Sequence, residues 1–282
     1  MTERAEISEK PRPFLKWVGG KRQLLTELEA RLVDARPYGR YHEPFVGGGA
    51  LFFDLYGRKL LGRSKAYLSD NNARLIEAYH GVQHHVEDLI ALLAKHEVAH
   101  NEEHYYAVRA ATPDNLVARA ARIIYLNRTC YNGLFRENSK GGFNVPMGRY
   151  KNPRICDREN LRAVSVALQR CTVEERHFAG ILNVAKSDDF VYFDPPYAPV
   201  SKTANFTGYH KGQFDETSQR ELADVFDELT RRGVKAVLSN SDAKLVHQLY
   251  KKHRIELVQA SRLINSRADK RGKVNEVIVR NF

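Results

Sequence analysis

The chain has 282 residues, enough to bury a full core and to carry one catalytic domain with a smaller domain set into it. Its 45 Lys and Arg outnumber 34 Asp and Glu, and the formal charge of +11 points to a polyanionic partner, of which nucleic acid is the usual one. Three cysteines with no Cys-x-x-Cys spacing argue against a disulfide framework and a zinc site, and no apolar stretch approaches the twenty residues of a membrane span.

Residues 1–12 are charged and featureless, a leader expected to be disordered; they do not read as a signal peptide, so a cytoplasmic protein is expected. Phe14-Leu15-Lys16-Trp17-Val18-Gly19-Gly20-Lys21 follows, holding the only tryptophan and leading into a helix near 21–33. A short strand near 41–45 then runs into Gly47-Gly48-Gly49 and a helix near 49–60. Glycines at a strand-to-helix junction let backbone approach a ligand closely. Phe52 stands where the third glycine of Gly-x-Gly-x-x-Gly would be, which disfavours a pyrophosphate cradle and with it a nicotinamide dehydrogenase. Asp70 ends a second strand near 66–69, where α/β folds place a carboxylate for ribose hydroxyls. One long helical pattern covers 71–95.

Between 101 and 169 the pattern changes to helix and loop without clear strands, and charge concentrates: Arg119 to Arg170 holds 11 Lys and Arg against 3 Asp and Glu. Apolar strands resume near 189–193, 234–239, 255–260 and 274–280, separated by helices near 215–232 and 243–250. Asp215 is a sensible helix start and Gly233 a sensible stop. This alternation predicts an α/β fold, a doubly wound and mostly parallel sheet, with 101–171 inserted between 13–100 and 172–282. A second basic run, Arg262 to Lys273, has 5 Lys and Arg against 1 acid.

Asp194-Pro195-Pro196-Tyr197 follows the apolar strand Phe190-Val191-Tyr192-Phe193. Two prolines fix φ, remove two N–H groups and stiffen the turn, leaving its carbonyls with few amide partners. A carboxylate, an outward carbonyl and a flat ring together suit a planar base that carries an amino group. An amino methyltransferase acting on cytosine N4 or on RNA adenine would use similar geometry, although serine before Pro-Pro-Tyr is commoner in the cytosine case. A DNA-binding protein without catalysis would explain the charge but has no need of this tetrapeptide.

The succession of Phe14-Leu15-Lys16-Trp17-x-Gly19-Gly20-Lys21, Glu43-Pro44-Phe45-x-Gly47-Gly48-Gly49 and Asp194-Pro195-Pro196-Tyr197 resembles the Dam family of DNA adenine-N6 methyltransferases. The stretches Leu126 to Pro153 and Ser201 to His210 resemble it too, so the likeness covers roughly residues 13–280. The resemblance implies a Rossmann-like methyltransferase sheet with an inserted, mainly helical DNA-recognition domain at 101–171. It implies S-adenosylmethionine as cofactor, S-adenosylhomocysteine as product and no metal. Trp17, Lys21, Phe45, Gly47, Gly49, Asp70 and Asp194 would line the cofactor. Asp194, Pro195, Pro196 and Tyr197 would act on an adenine flipped out of double-stranded DNA, with Asn205, Phe206 and Tyr209 closing over it. Lys16, Tyr131, Asn132, Leu134, Arg136, Asn138, Pro146, Arg149 and Tyr150 would contact the DNA, whose usual target in the family is GATC. A monomer is expected. The biological setting is either protection against a partner restriction endonuclease or strand marking for repair and replication.

Overall fold

Phe190–Phe193, four apolar residues buried along their whole length, form the strand around which the sheet assembles. The structure is a computed structural model that describes residues 10–17, 24–200, 214–261 and 273–282. Its seven strands are β1 (Tyr41–Glu43), β2 (Ala66–Asp70), β3 (Cys171–Glu175), β4 (Phe190–Phe193), β5 (Lys235–Ser241), β6 (Arg254–Ser261) and β7 (Lys273–Arg280), in the spatial order β3-β2-β1-β4-β5-β7-β6. β1 pairs in parallel with β2 and β4, and β4 with β5. β7 is antiparallel to both β5 and β6. The sheet is therefore mostly parallel, and the chain reverses its direction of winding between the adjacent strands β1 and β4. In such sheets ligands bind outside the carboxyl ends of the strands at that reversal.

Contacts divide the chain into two units. One comprises Lys21–Val46, Leu61–Asn71 and Arg176–Phe282. Within it, Val191, Phe193, Ala236, Leu238, Val277 and Val279 point to one face and pack under α8 (Glu216–Arg231), α9 (Lys244–Leu249) and a 3-10 turn at Phe178–Asn183. In α8 the spacing Gln219, Leu222, Ala223, Phe226, Leu229 makes one buried stripe, apolar from Leu222 onward. Asp215 caps its start by accepting from the Ser218 N–H at 2.9 Å, and Gly233 follows its end in the left-handed region at φ 74°. Phe226 is fully buried, so truncation to alanine is expected to cost about 3–5 kcal/mol. Alternate residues point to the other face, where α1 (Leu25–Asp34) lies: Arg31 pairs with Glu256, and Arg280 pairs with Asp34 at 3.1 Å. Helices on both faces make this unit doubly wound.

The other unit comprises Met1–Gly20, Gly47–Leu60 and Asn72–Glu175. It holds α2 (Ala50–Gly57), α3 (Ala73–His84), α4 (Val86–Val98), α5 (Glu102–Ala110), α6 (Leu116–Thr129) and α7 (Arg158–Leu168). α6 is its axis, with Ala120, Ala121, Ile123, Ile124, Tyr125 and Leu126 all buried. α3 reaches α6 at Gly81, where a Cβ would stand 2.4 Å from the Ala120 Cβ. Among the described residues the stretch 101–171 is mainly helical; its only extended pairings outside the strands are the isolated bridges Cys130–Met147 and Glu137–Phe143.

Two local expectations are corrected. The single helix over 71–95 is two, α3 and α4, broken at His85, whose φ of −138° leaves the helical region. β3, just beyond the strandless stretch of 101–169, was not expected; it is a short strand in which only Val173 is buried, too polar to announce itself.

Candidate active site and nucleic-acid surface

The carboxyl end of β4 delivers Asp194 half-buried, beside the end of β5. The register pairs Tyr192 with Val237 and Phe193 with Leu238, so the next step along both strands sets Asp194 beside Ser239 on one face. The Ser239 hydroxyl donates to Asp194 Oδ1 at 3.0 Å. On the other face the buried pair Gln219 and Asn240 holds the turn: Gln219 Nε2 donates to the Pro196 carbonyl at 2.8 Å, Asn240 Nδ2 to Gln219 Oε1 at 3.1 Å, and Asn240 Oδ1 accepts from the Ala198 N–H at 2.9 Å. Among the described residues no donor reaches the Pro195 carbonyl. Tyr197 donates its hydroxyl to Glu276 Oε2 at 2.8 Å, which anchors the far end of the side chain. Burial, then the charges of Asp194 and Glu276, hold the Tyr197 ionisation far above its ordinary value, so the hydroxyl stays a donor.

Other carboxylates share this edge of the sheet. Glu43 ends β1, is buried, and accepts from the Tyr41 hydroxyl at 3.0 Å. Asp70 ends β2 half-exposed, and its backbone carbonyl accepts from the Arg176 N–H at 3.0 Å. Glu276 pairs with Ser241, the last residue of β5. With Asp194, four acids line the carboxyl edge of strands in a chain whose net charge is +11. That local reversal of sign suits a cationic ligand carrying hydroxyls. Phe45 follows Glu43 and stacks on Phe178 at 5.4 Å, with Phe193 and Phe214 edge-on at 6.4 and 5.6 Å. It is a half-buried wall of that apolar cluster.

In the other unit the glycine turn is packed closely against side chains. Gly47 has φ 47°, and a Cβ there would stand 2.8 Å from Trp17 Cδ1. Gly49 caps α2 at φ 67°, where a Cβ would stand 2.7 Å from the Tyr79 hydroxyl oxygen. That hydroxyl donates to the Gly47 carbonyl at 3.0 Å. Only glycine satisfies both the left-handed backbone and the close packing. Trp17 is half-buried, with its indole tilted against Phe135 at 5.7 Å. Lys21 and the whole of 201–210, including Asn205, Phe206 and Tyr209, lie outside the described residues.

The loop after α6 carries the expected DNA contacts. Buried Asn127 clamps the backbone of Lys16 from both sides, accepting from its N–H at 2.7 Å and donating to its carbonyl at 2.8 Å. Lys16 Nζ sits 3.7 Å over the Tyr150 ring and donates to the Arg128 carbonyl at 3.3 Å. Burial, then Arg128, lower its pKa. Gly133 takes φ 64° against Lys16, since a Cβ would come within 2.6 Å of the Lys16 Cβ. Tyr131 and Leu134 are exposed at 52% and 37%, unusual for apolar residues beside so much basic charge. Asn132, Arg136, Asn138, Pro146 and Arg149 are exposed as well. Arg136 donates through Nε to Asn144 Oδ1 at 2.6 Å and through Nη2 to the Asn144 carbonyl at 3.1 Å. Asn138 Oδ1 closes the loop tip, accepting from the N–H groups of Lys140 at 3.0 Å and Gly142 at 2.9 Å. Burial pushes the Cys130 thiol up to about 11, so it is no nucleophile at neutral pH.

Ser239, Asn240, Gln219, Glu276 and Asn127 were not read from the sequence. One signal was present: an apolar strand ending in the polar run Ser239-Asn240-Ser241, all three buried. Buried polar residues at a strand end have partners to find.

Among the described residues there is no group of three or more His, Cys, Asp or Glu placed to hold a metal ion, and no helix is long and apolar enough to cross a membrane. Residues 17–264 match the description of the D12 class of N6 adenine-specific DNA methyltransferases. The chain is 41% identical over 279 residues to the Type II methyltransferase M1.LlaDCHI of Lactococcus lactis subsp. cremoris, covering 96% of this chain and 95% of the relative. It is 40% identical over 288 residues to the Type II methyltransferase M.MjaIII of Methanocaldococcus jannaschii, covering 96% and 99%. To the DNA adenine methylase of Escherichia coli it is 35% identical over 274 residues, covering 95% of each.

Proposed function

The chain belongs to the D12 class of N6 adenine-specific DNA methyltransferases, and on that premise we propose that it methylates the adenine of GATC in double-stranded DNA, with the Asp194 carboxylate and the Pro195 carbonyl accepting from the N6 amino group. The observation that carries this reading is the Asp194 turn at the carboxyl end of β4, beside the reversal between β1 and β4, with Pro196 tied to Gln219. Adenine N6 is a poor nucleophile because its lone pair is delocalised into the ring. Two acceptors on its hydrogens draw the nitrogen toward tetrahedral geometry and localise that lone pair. S-adenosylmethionine supplies, when bound, a methyl group already attached to its leaving group, so the protein has mainly to position and polarise.

The residues present fit that cofactor. Carboxylates at the ends of β1 and β2 suit hydroxyls and a cationic group. By resemblance, Trp17, Lys21, Phe45, Gly47, Gly49, Asp70 and Asp194 would hold it. Because Asp194 is half-buried at a strand end, the target adenine must leave the base stack to meet it. Tyr197, anchored at its hydroxyl by Glu276, would offer the stacking face, worth ~1–3 kcal/mol per base. Lys16, Tyr131, Asn132, Leu134, Arg136, Asn138, Pro146, Arg149 and Tyr150 would hold and read the duplex. Arginine is the natural reader of guanine O6 and N7. The relatives are named as Type II methyltransferases and as DNA adenine methylases. An endonuclease that cleaves GATC, encoded beside this chain, would make it a protecting partner, whereas a solitary gene would favour strand marking.

The test is transfer of labelled methyl from S-adenosylmethionine into GATC duplexes and their single-base variants, followed by nucleoside analysis. Label in N6-methyladenine from GATC duplexes alone is expected. Label in N4-methylcytosine or in RNA would overturn the reaction assigned, and equal labelling of all duplexes would overturn the target.

A further inference from the structure

Tyr192 and Ser239 face each other with hydroxyl oxygens 3.0 Å apart, and that distance alone leaves either one as the donor. The next bond decides it. Ser239 Oγ is 3.0 Å from Asp194 Oδ1, and an ionised carboxylate only accepts. The single Ser239 proton is therefore directed at Asp194, so Tyr192 must donate to Ser239. The result is a one-way chain from the Tyr192 hydroxyl through Ser239 Oγ to Asp194 Oδ1. Tyr192 and Ser239 are 1% and 0% exposed, so water does not compete for the bond between them.

The chain cannot run in reverse as a proton wire. To pass a proton outward from Asp194, Tyr192 would have to give up its own, and burial, then the charge of Asp194, hold its ionisation well above the ordinary value. What the chain does is static. Two ordered donors, each stiffened by the next, fix the carboxylate and favour its charged form, and bonds to charged groups are the strong ones. The strand register supplies the geometry, since Tyr192, Asp194 and Ser239 share one face of the sheet.

We propose that Ser239, backed by Tyr192, is a positioning residue for methyl transfer: its hydroxyl holds the Asp194 carboxylate ionised and in the one orientation that meets the adenine amine. This rests on the assignment of Asp194 as the acceptor of N6.

The test is single-turnover methylation of a GATC duplex with S-adenosylmethionine across pH 5–9, together with duplex affinity and thermal midpoint. Ser239→Ala is expected to slow transfer by about 10–100-fold, as for a lost bond to a charged group, and to move the acid limb of the rate profile to higher pH. Duplex affinity should change little. Ser239→Thr keeps the hydroxyl and should stay within a few-fold of the parent. Tyr192→Phe, which preserves volume and should fold where the alanine variant does not, should shift the acid limb the same way by less. Because Tyr192 acts only through Ser239, the double variant should be no slower than Ser239→Ala. An unmoved acid limb in both single variants, or effects that multiply in the double variant, would overturn the proposal. Asp194→Asn at the parental rate would instead overturn the assignment of Asp194 itself.

Discussion

Asp189 and Asp194 bracket the same four-residue strand, and the protein treats them in opposite ways. Asp189, at the entry of β4, is 0% exposed and takes five donors: Arg40 N at 3.1 Å, Arg40 Nε at 3.0 Å, Arg40 Nη2 at 2.6 Å, His42 Nε2 at 2.9 Å and Lys186 N at 2.9 Å. A carboxylate offers about four lone-pair sites, so none is left for a ligand. Asp194, at the exit, is half-exposed, and its Oδ1 is held by Ser239. The same side chain is a structural pin at one end of a strand and a reactive group at the other. The difference lies in burial: Asp189 is sealed among its donors, whereas Asp194 stands half-exposed at the carboxyl edge of the sheet.

The sharpest way to break this contrast is to remove each carboxylate and ask what is lost. Asp194→Ala is expected to lower methyl transfer about 10³-fold or more, the scale of losing a group that acts on the reacting atom, with thermal midpoint and duplex affinity near the parental values. Affinity falling in parallel with rate, in a gel-shift titration, would deny Asp194 its role. Asp189→Ala should do the reverse. It leaves the guanidinium of Arg40 and the ring of His42 facing a void, and removing one partner of a buried pair costs about 3–5 kcal/mol. Denaturant unfolding should record that loss, while the folded fraction keeps its turnover.

Acid should expose the same pin. Burial pushes the Asp189 carboxyl up, but the bonds from His42, Arg40 and the Lys186 N–H outweigh it and hold the folded pKa well below the usual carboxylate range. A folded pKa below the unfolded one means stability that is complete above about pH 4 and lost as pH falls further. Asp189→Asn should flatten that part of the stability curve. If parent and variant lose stability in parallel below pH 4, the pin contributes little.

A smaller effect is expected at Arg136, an exposed group whose present partner is Asn144. Replacement by alanine should cost ~1–3 kcal/mol of discrimination at one guanine, so that duplexes altered there become relatively better substrates. Uniform weakening on all duplexes, with a salt slope reduced by about one, would make it a phosphate contact instead. The smallest effect belongs to Tyr197→Phe. The ring stays but loses its bond to Glu276, and a loss of about 0.5–1.5 kcal/mol is expected, well short of Tyr197→Ala. Equal damage in the two variants would give the hydroxyl the larger part.

Much of this contrast was legible in the chain before any coordinates. Asp194-Pro195-Pro196-Tyr197 announces itself because Pro-Pro after an apolar run leaves few conformations and few amides. The glycine turn is legible for a related reason: Gly47 and Gly49 tolerate backbone that other residues do not. The polar run that ends β5 hints that Ser239 has a partner but not which one, and nothing local marks Asp189 as buried. Only strand register brings Ser239 to Asp194, and only the pairing of β1 with β4 brings Arg40 and His42 to Asp189. β3 escaped because Thr172, Glu174 and Glu175 dilute its one buried residue. Gln219 read as part of a helix face, and its bond to Pro196 depends on where α8 docks.

The placement of β7 has a consequence for how the chain is made. β5 and β6 precede it in the chain, yet β7 lies between them, pairing with both. A ribosome therefore delivers two strands with unsatisfied edges and must go on to deliver the strand that separates them. Arg280, on that last strand, is also where Asp34 and Glu256 are met. α1, among the first helices translated, thus waits for a residue 246 positions downstream. Nascent chains halted before Lys273 should expose two ladder edges, a state prone to pairing with other chains. For this fold the vulnerable interval is late in synthesis, and it closes when one eight-residue segment slots into place.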